Sequence, residues 1–259
     1  MPRFFVESVE NDFIEINGDD ARHIALSLRM KKGESLVLCD GKGREAEAVI
    51  REAFPESVVL DITERRDSVA EPATEVILYQ ALPKFDKLEY IIQKSVELGV
   101  SKIVPVLSSR CISRPDEKTM KKKLERLRKI ADEAAKQSGR GKLPEVGELL
   151  SFKNAVLEME KAETSIFFFE HAEYPLREIM EKRTGGKIAM MVGSEGGFSE
   201  EETFEILEKA PKGLFQLEIG MQSFNEDTLK AINRKTDTKK LIENIKRLIS
   251  FNNMHIHID

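Results

Sequence analysis

Between an apolar run, Lys187 to Val192, and a segment that opens on Ser199 with three glutamates behind it, the chain reads Val192-Gly193-Ser194-Glu195-Gly196-Gly197-Phe198. A strand ending in small residues, followed by a serine-capped helix, gathers unpaired backbone N–H groups around one cavity. Such a stretch reads as a loop that holds a ligand through its main chain, and an ordinary strand-to-helix turn fits the heptad equally well. A second feature is basic. Lys121-Lys122-Lys123, Arg126, Arg128 and Lys129 share a helical segment with Glu125, Asp132 and Glu133, a mixture that taken alone reads as a solvated face. The end of that segment, Gln137-Ser138-Gly139-Arg140-Gly141, is more specific, because its glycines release the chain from helix and can project Arg140 into a cleft. His255 and His257 alternate with Met254, Ile256 and Ile258 as strand residues do, and without a third ligand nearby no metal site is expected. Cys39 and Cys111 lack any paired spacing, so they read as buried thiols and not as a disulfide or zinc framework.

These groups need elements to position them. The 259 residues suffice for two domains with buried cores. Residues 1 to about 68 carry short alternating runs, Phe4 to Val6, Phe13 to Ile16, Ser35 to Cys39, Glu45 to Ile50 and Ser57 to Ile62, with a helical insert at Asp20 to Leu28. That pattern predicts a compact β-barrel. A polar segment, Arg65 to Thr74, is the predicted linker. From Glu75 apolar strands alternate with amphipathic helices: strands at Val76 to Ala81, Lys102 to Leu107, Ile166 to Glu170 and Ile188 to Val192, helices at Lys87 to Leu98, Lys118 to Gln137 and Pro175 to Lys182. This is the signature of an α/β domain with a mostly parallel sheet.

Composition sets further bounds. A net charge of −5 argues against wholesale coating of nucleic acid but leaves room for a local positive surface. No apolar run approaches a membrane span, and Met1-Pro2-Arg3-Phe4-Phe5-Val6 reads as a strand with no secretory h-region behind it, so no membrane partner and a cytoplasmic location are expected.

Beside the glycine heptad, three segments carry a resemblance: Ala81-Leu82-Pro83-Lys84-Phe85-Asp86-Lys87-Leu88, Gln93-Lys94-Ser95-Val96-Glu97-Leu98-Gly99-Val100 and Glu133-Ala134-Ala135-Lys136-Gln137-Ser138-Gly139-Arg140. As a set they are similar to the ribosomal RNA small subunit methyltransferase E family, within the knotted SPOUT class of S-adenosylmethionine enzymes, over roughly residues 1 to 214. The resemblance implies a PUA-like RNA-binding barrel over 1–68 and a SPOUT-type knotted α/β methyltransferase domain over 75–259. It implies methyl transfer from S-adenosylmethionine to uridine N3 of small-subunit ribosomal RNA, in a homodimer and without metal. Gly193, Ser194, Glu195, Gly196 and Gly197 would hold the cofactor, with Glu170 a neighbour from the end of the Phe167-Phe168-Phe169 strand. For RNA it points to Arg110, in Ser108-Ser109-Arg110, and to Arg140, where a guanidinium fork suits phosphate or base. Lys84, Lys87 and, in the barrel beside His23, Arg29 are further RNA candidates.

The resemblance fails in the tail. Where the family has a strand, a Leu-Gly turn and a segment close to Arg-Ile-Leu-Arg-Thr-Glu-Thr-Ala, this chain reads Phe215-Gln216-Leu217-Glu218-Ile219-Gly220-Met221-Gln222-Ser223-Phe224-Asn225-Glu226. Gly220 can be laid on the family's glycine and so joins the cofactor candidates, while Asn225 and Glu226 replace arginine and threonine. Residues 215–259 instead resemble an internal strand-helix-strand piece of a radical-SAM barrel. The clustered cysteines that would hold its iron–sulfur cluster are absent, which excludes radical chemistry. Completion of the knot is thus in question, and a catalytically impaired RNA-binding chimera is the competing reading.

Overall fold

The structure, a computed structural model, describes residues 1–168, 176–181, 186–210, 212, 216–219 and 237–258. Compactness groups it as Met1–Gly197 and Phe198–Asp259, a division at the end of the glycine loop and not in the predicted linker.

Within the first unit the N-terminal residues form a five-stranded curled sheet, β1 (Arg3–Phe5), β2 (Phe13–Asn17), β3 (Ser35–Cys39), β4 (Arg44–Ala53) and β5 (Ser57–Asp67), in the order β1-β3-β4-β5-β2. Only β1 and β3 run parallel. The predicted helical insert is α1 (Gly18–Arg22) running into a wider helical turn at His23–Ser27. Alternation buries one face: Leu36, Leu38, Ala46, Ala48, Val58 and Leu60 pack with Phe4 and Ile24 into one apolar cluster. The sheet curls because β4 is irregular against β5 between Glu47 and Ala48 and between Ile50 and Glu52, the kind of shift that bends a strand. The linker is shorter than expected, since Arg65 and Arg66 still belong to β5.

The second sheet is wholly parallel, in the order β10-β11-β6-β7-β8, with β9 also on β7. It comprises β6 (Thr74–Ala81), β7 (Lys102–Leu107), β8 (Glu145–Val146), β9 (Leu150–Ser151), β10 (Thr164–Phe167) and β11 (Gly186–Val192). Helices α2 (Lys87–Glu97), α3 (Glu117–Ser138), α4 (Phe152–Met159) and α5 (Leu176–Glu181) connect the strands. Leu88, Ile92 and Val96 of α2 and Leu124, Leu127 and Ala131 of α3 form the apolar stripe that seals one face, joined by Phe5 from the first sheet. After β6 the chain steps to β7 on one side, and β11 later returns on the other. The carboxyl ends of β6 and β11 therefore lie side by side, Gln80 in register with Val192, at a reversal of strand order. In open α/β sheets that is where ligands bind.

The second unit holds α6 (Glu200–Lys209), opened by the predicted Ser199 cap, which accepts from Glu202 N–H while the Glu202 carboxylate accepts from Ser199 N–H. Strands β12 (Gln216–Ile219) and β13 (His255–Ile258) pair in parallel, and α7 (Thr238–Ser250) precedes β13. The tail packs within its unit: the Arg247 guanidinium lies 4.4 Å over the Phe204 ring, and Asn253 Nδ2 donates to the carbonyls of Leu207 and Ala210 at the end of α6. Gly220, Asn225 and Glu226 lie outside the described residues, as do Phe169, Glu170 and the end of the strand predicted there.

Candidate functional site

Three segments converge at the carboxyl edge of the parallel sheet: the turn after β6, the segment after β7, and the glycine loop after β11. The loop folds back tightly, with Gly197 N–H donating to the Ser194 carbonyl at 2.9 Å and Glu195 and Gly196 at the corner. Gly197 holds a φ of +65°, a conformation that favours glycine.

Each part of the loop has its own support. At its start, Gln80 Nε2 donates to the Gly193 carbonyl at 3.2 Å and to the Ala81 carbonyl at 2.9 Å. Gln80 is buried, and the sequence reading passed over it. The signal was there, since an amide inside the apolar strand Val76 to Ala81 needs partners. At the corner, Glu195 accepts from Lys84 N–H at 3.2 Å and from Lys87 Nζ at 2.7 Å. The Lys87 ammonium and the backbone N–H groups hold the Glu195 carboxyl down at about 2. Beyond the corner, Arg110 Nη1 donates to the Gly196 carbonyl at 2.9 Å. A Cβ on Gly196 would stand 3.1 Å from Arg110 Cβ, so the absence of a side chain there lets the two backbones approach. Arg114 in turn fixes the segment that presents Arg110, donating to the carbonyls of Ser108 and Ser109.

Ser194 differs from its neighbours. Its Oγ is buried and has no hydrogen-bond partner among the described residues. A buried hydroxyl left unmatched among the described residues calls for a partner, and this one stands in the glycine loop.

The RNA candidates divide. Lys87 and Arg110 are brought to the glycine loop, where both act as its supports, so their observed partners are the loop and not a free surface. Lys84 contributes its backbone N–H to Glu195, while its ammonium has no ion pair among the described residues. Arg29 stands exposed in the connection between the helical turn at His23–Ser27 and β3, in left-handed backbone at φ +54°. Arg140 is corrected outright. Gly139 does release the chain from α3, with φ +75°, but Arg140 turns inward and is 3% exposed. Its guanidinium donates to the Glu71 carboxylate and the Val100 carbonyl, because a buried cation must be paired and hydrogen-bonded. On α3, Arg126 pairs with Glu89 and Arg128 with Glu148, as on a solvated face. Among the described residues no group of His, Cys, Asp and Glu forms a metal cage, and no helix is long and apolar enough to cross a membrane.

Comparison with known proteins bears on the same segments. Residues 70–215 match the family described as RNA methyltransferase domain, and residues 16–63 match the RNA methyltransferase PUA domain. Ribosomal RNA small subunit methyltransferase E of Bacillus subtilis (strain 168) is 30% identical over 220 residues, 81% of this chain and 86% of that protein. Among solved structures, a ribosomal RNA small subunit methyltransferase E from Neisseria gonorrhoeae bound to S-adenosyl methionine superposes with a TM-score of 0.71 at 29% identity, covering 80% of this chain and 86% of that one. A Legionella pneumophila putative methyltransferase in complex with the bound cofactor SAM gives 0.70 at 28% identity, covering 79% and 84%.

Proposed function

The chain belongs to the family of ribosomal RNA small subunit methyltransferase E, and from that membership we propose that it methylates small-subunit ribosomal RNA with S-adenosylmethionine as donor, at N3 of a uridine. The observation that carries the reading is the suspended glycine loop: Gln80, Lys84, Lys87 and Arg110 fix Gly193, Glu195 and Gly196 at the switch point of the sheet. The residues present fit the cofactor, since the Ser194 hydroxyl is buried without a partner among the described residues and Gly197 leaves open space beside the turn. When bound, S-adenosylmethionine supplies an already activated methyl group. The chain's own work is alignment, which a loop tied at three points performs at little reorganisation. Removal or masking of the imide proton falls to another group than Glu195, because a carboxylate held at about 2 is a feeble base.

In this reading residues 1–68, with Arg29, grip RNA, and 75–259 carry the transfer, in the cytoplasm, on small-subunit ribosomal RNA or the assembled small subunit, as a homodimer where the tail packs. Glu170 and Gly220 are the further cofactor contacts of the reading. The impaired chimera is not favoured, since the supports of the loop all come from residues 80 to 196 and are intact here. The test is incubation of the chain with labelled S-adenosylmethionine and undermethylated small subunits, followed by nucleoside analysis. Label in 3-methyluridine is the expected result. Absence of transfer, or label in another nucleoside, overturns the reading.

A further inference from the structure

Phe85 occupies backbone that its side chain disfavours. Its φ is +55°, and of the three non-glycine residues with positive φ among those described it is the aromatic one, a bulky type for which this conformation is a genuine outlier. The strain does not serve the core. Leu82 and Leu88, on either side, are buried in the main apolar cluster, whereas Phe85 is 83% exposed. Glycine would meet the backbone's demand better at this position. The position itself is informative: Lys84 N–H and Lys87 Nζ, flanking Phe85, both hold the Glu195 carboxylate at the corner of the glycine loop. The strained turn thus presents an exposed ring at the rim of the site, next in the chain to Lys84, whose ammonium has no ion pair among the described residues.

We propose that Phe85 is a stacking platform for a base of the single-stranded RNA substrate, holding the target segment against the rim of the glycine loop while Lys84 meets the adjoining phosphate. Unstacked bases of RNA are commonly received on aromatic faces, and stacking is tolerant of base identity, so the ring adds grip and placement while sequence is read elsewhere. Backbone strain maintained at a ligand rim, with no return in packing, is expected where a side chain has a task in binding. The inference rests on the RNA methyltransferase reading.

The chain contains no tryptophan, so Phe85→Trp introduces a single tryptophan, whose emission can be excited selectively over the three tyrosines, at the proposed contact. Titration of this variant, loaded with S-adenosylmethionine, with a short uridine-containing single-stranded RNA is expected to quench its emission saturably. Phe85→Gly is expected to unfold at a higher temperature, to bind S-adenosylmethionine as the parent does, and to show a KM for RNA about tenfold higher, in keeping with the loss of one stacked base. Phe85→Tyr should restore the parental KM. Unquenched emission from the Phe85→Trp variant, or a Phe85→Gly variant with parental RNA affinity, overturns the inference and leaves the proposed function standing. A change of self-association in place of RNA affinity assigns the ring to a contact between copies and likewise overturns it. A parent chain that neither binds nor methylates RNA overturns both.

Discussion

The Arg140 guanidinium lies 2.9 Å from the Glu71 carboxylate, with the two side chains only 4% and 10% exposed. The pair ties the link between the two sheets to the turn that ends α3, and Glu71 also accepts from the N–H groups of Gly141 and Lys142. Burial opposes ionisation of Glu71, but the Arg140 hydrogen bond and these N–H groups overcome it and hold its carboxyl below the usual range.

Replacing Arg140 alone strands a buried carboxylate. Arg140→Met is expected to cost about 3–5 kcal/mol, with Arg140→Met/Glu71→Gln recovering part of the loss. Because the folded pKa of Glu71 is depressed, its contribution is present above the unfolded value and is lost as pH falls through the folded one. Denaturant titrations from pH 7 downward should therefore show the parent losing stability on the acid side and the double variant with a flatter acid limb. An Arg140→Met variant as stable as the parent that binds RNA more weakly would return Arg140 to the RNA surface.

At the glycine loop, Lys87→Met and Glu195→Gln are each expected to weaken S-adenosylmethionine binding by about two- to fivefold, the scale of an exposed ion pair that organises a turn. Coupling is the sharper readout. The double variant should be no weaker than either single one by calorimetry, and additive losses would mean that the two side chains act separately. Since the Glu195 carboxyl titrates at about 2, this clasp should contribute no pH dependence to cofactor affinity between pH 5 and 8.

Gly196→Val should abolish cofactor binding while leaving the circular dichroism spectrum unchanged, because the new side chain would press on Arg110 Cβ and on the Arg110 carbonyl oxygen, 3.1 and 3.4 Å from the added Cβ. Unchanged affinity in a folded Gly196→Val variant would disconnect the loop from the cofactor. Ser194→Ala probes the same loop without a clash. Having no partner to lose among the described residues, it should leave the unfolding temperature unaltered and weaken binding by about three- to tenfold, the worth of one hydrogen bond.

In the connection leading to β3, Arg29→Ala should weaken RNA binding uniformly across sequences and reduce the slope of log affinity against log salt by about one phosphate contact. A parental slope across a salt series would remove Arg29 from the RNA surface.

The sequence alone was sufficient for what depends on near neighbours. Ser35 to Cys39 and Lys102 to Leu107 are strands at the limits read from their residues, and the Ser199 cap opens α6 where it was placed, because strand alternation and capping are set within a few residues. The helix at Phe152–Met159 was equally legible and overlooked: Ser151 caps it, and Phe152, Ala155, Val156 and Met159 recur at helical spacing. The glycine heptad likewise announced a turn and its freedom of approach. Which groups meet across the fold was decided only by tertiary structure. Arg140 looked like a cation aimed at a cleft because Glu71, its partner, stands in what read as a featureless polar link. Lys87 and Arg110 looked like phosphate ligands because nothing local shows that both reach the same loop, and the Gly193 carbonyl that Gln80 meets was fixed only once β6 and β11 lay in register. A charged or amide group takes its role from the partner that satisfies it, and that partner is fixed by how the sheets close, far along the chain.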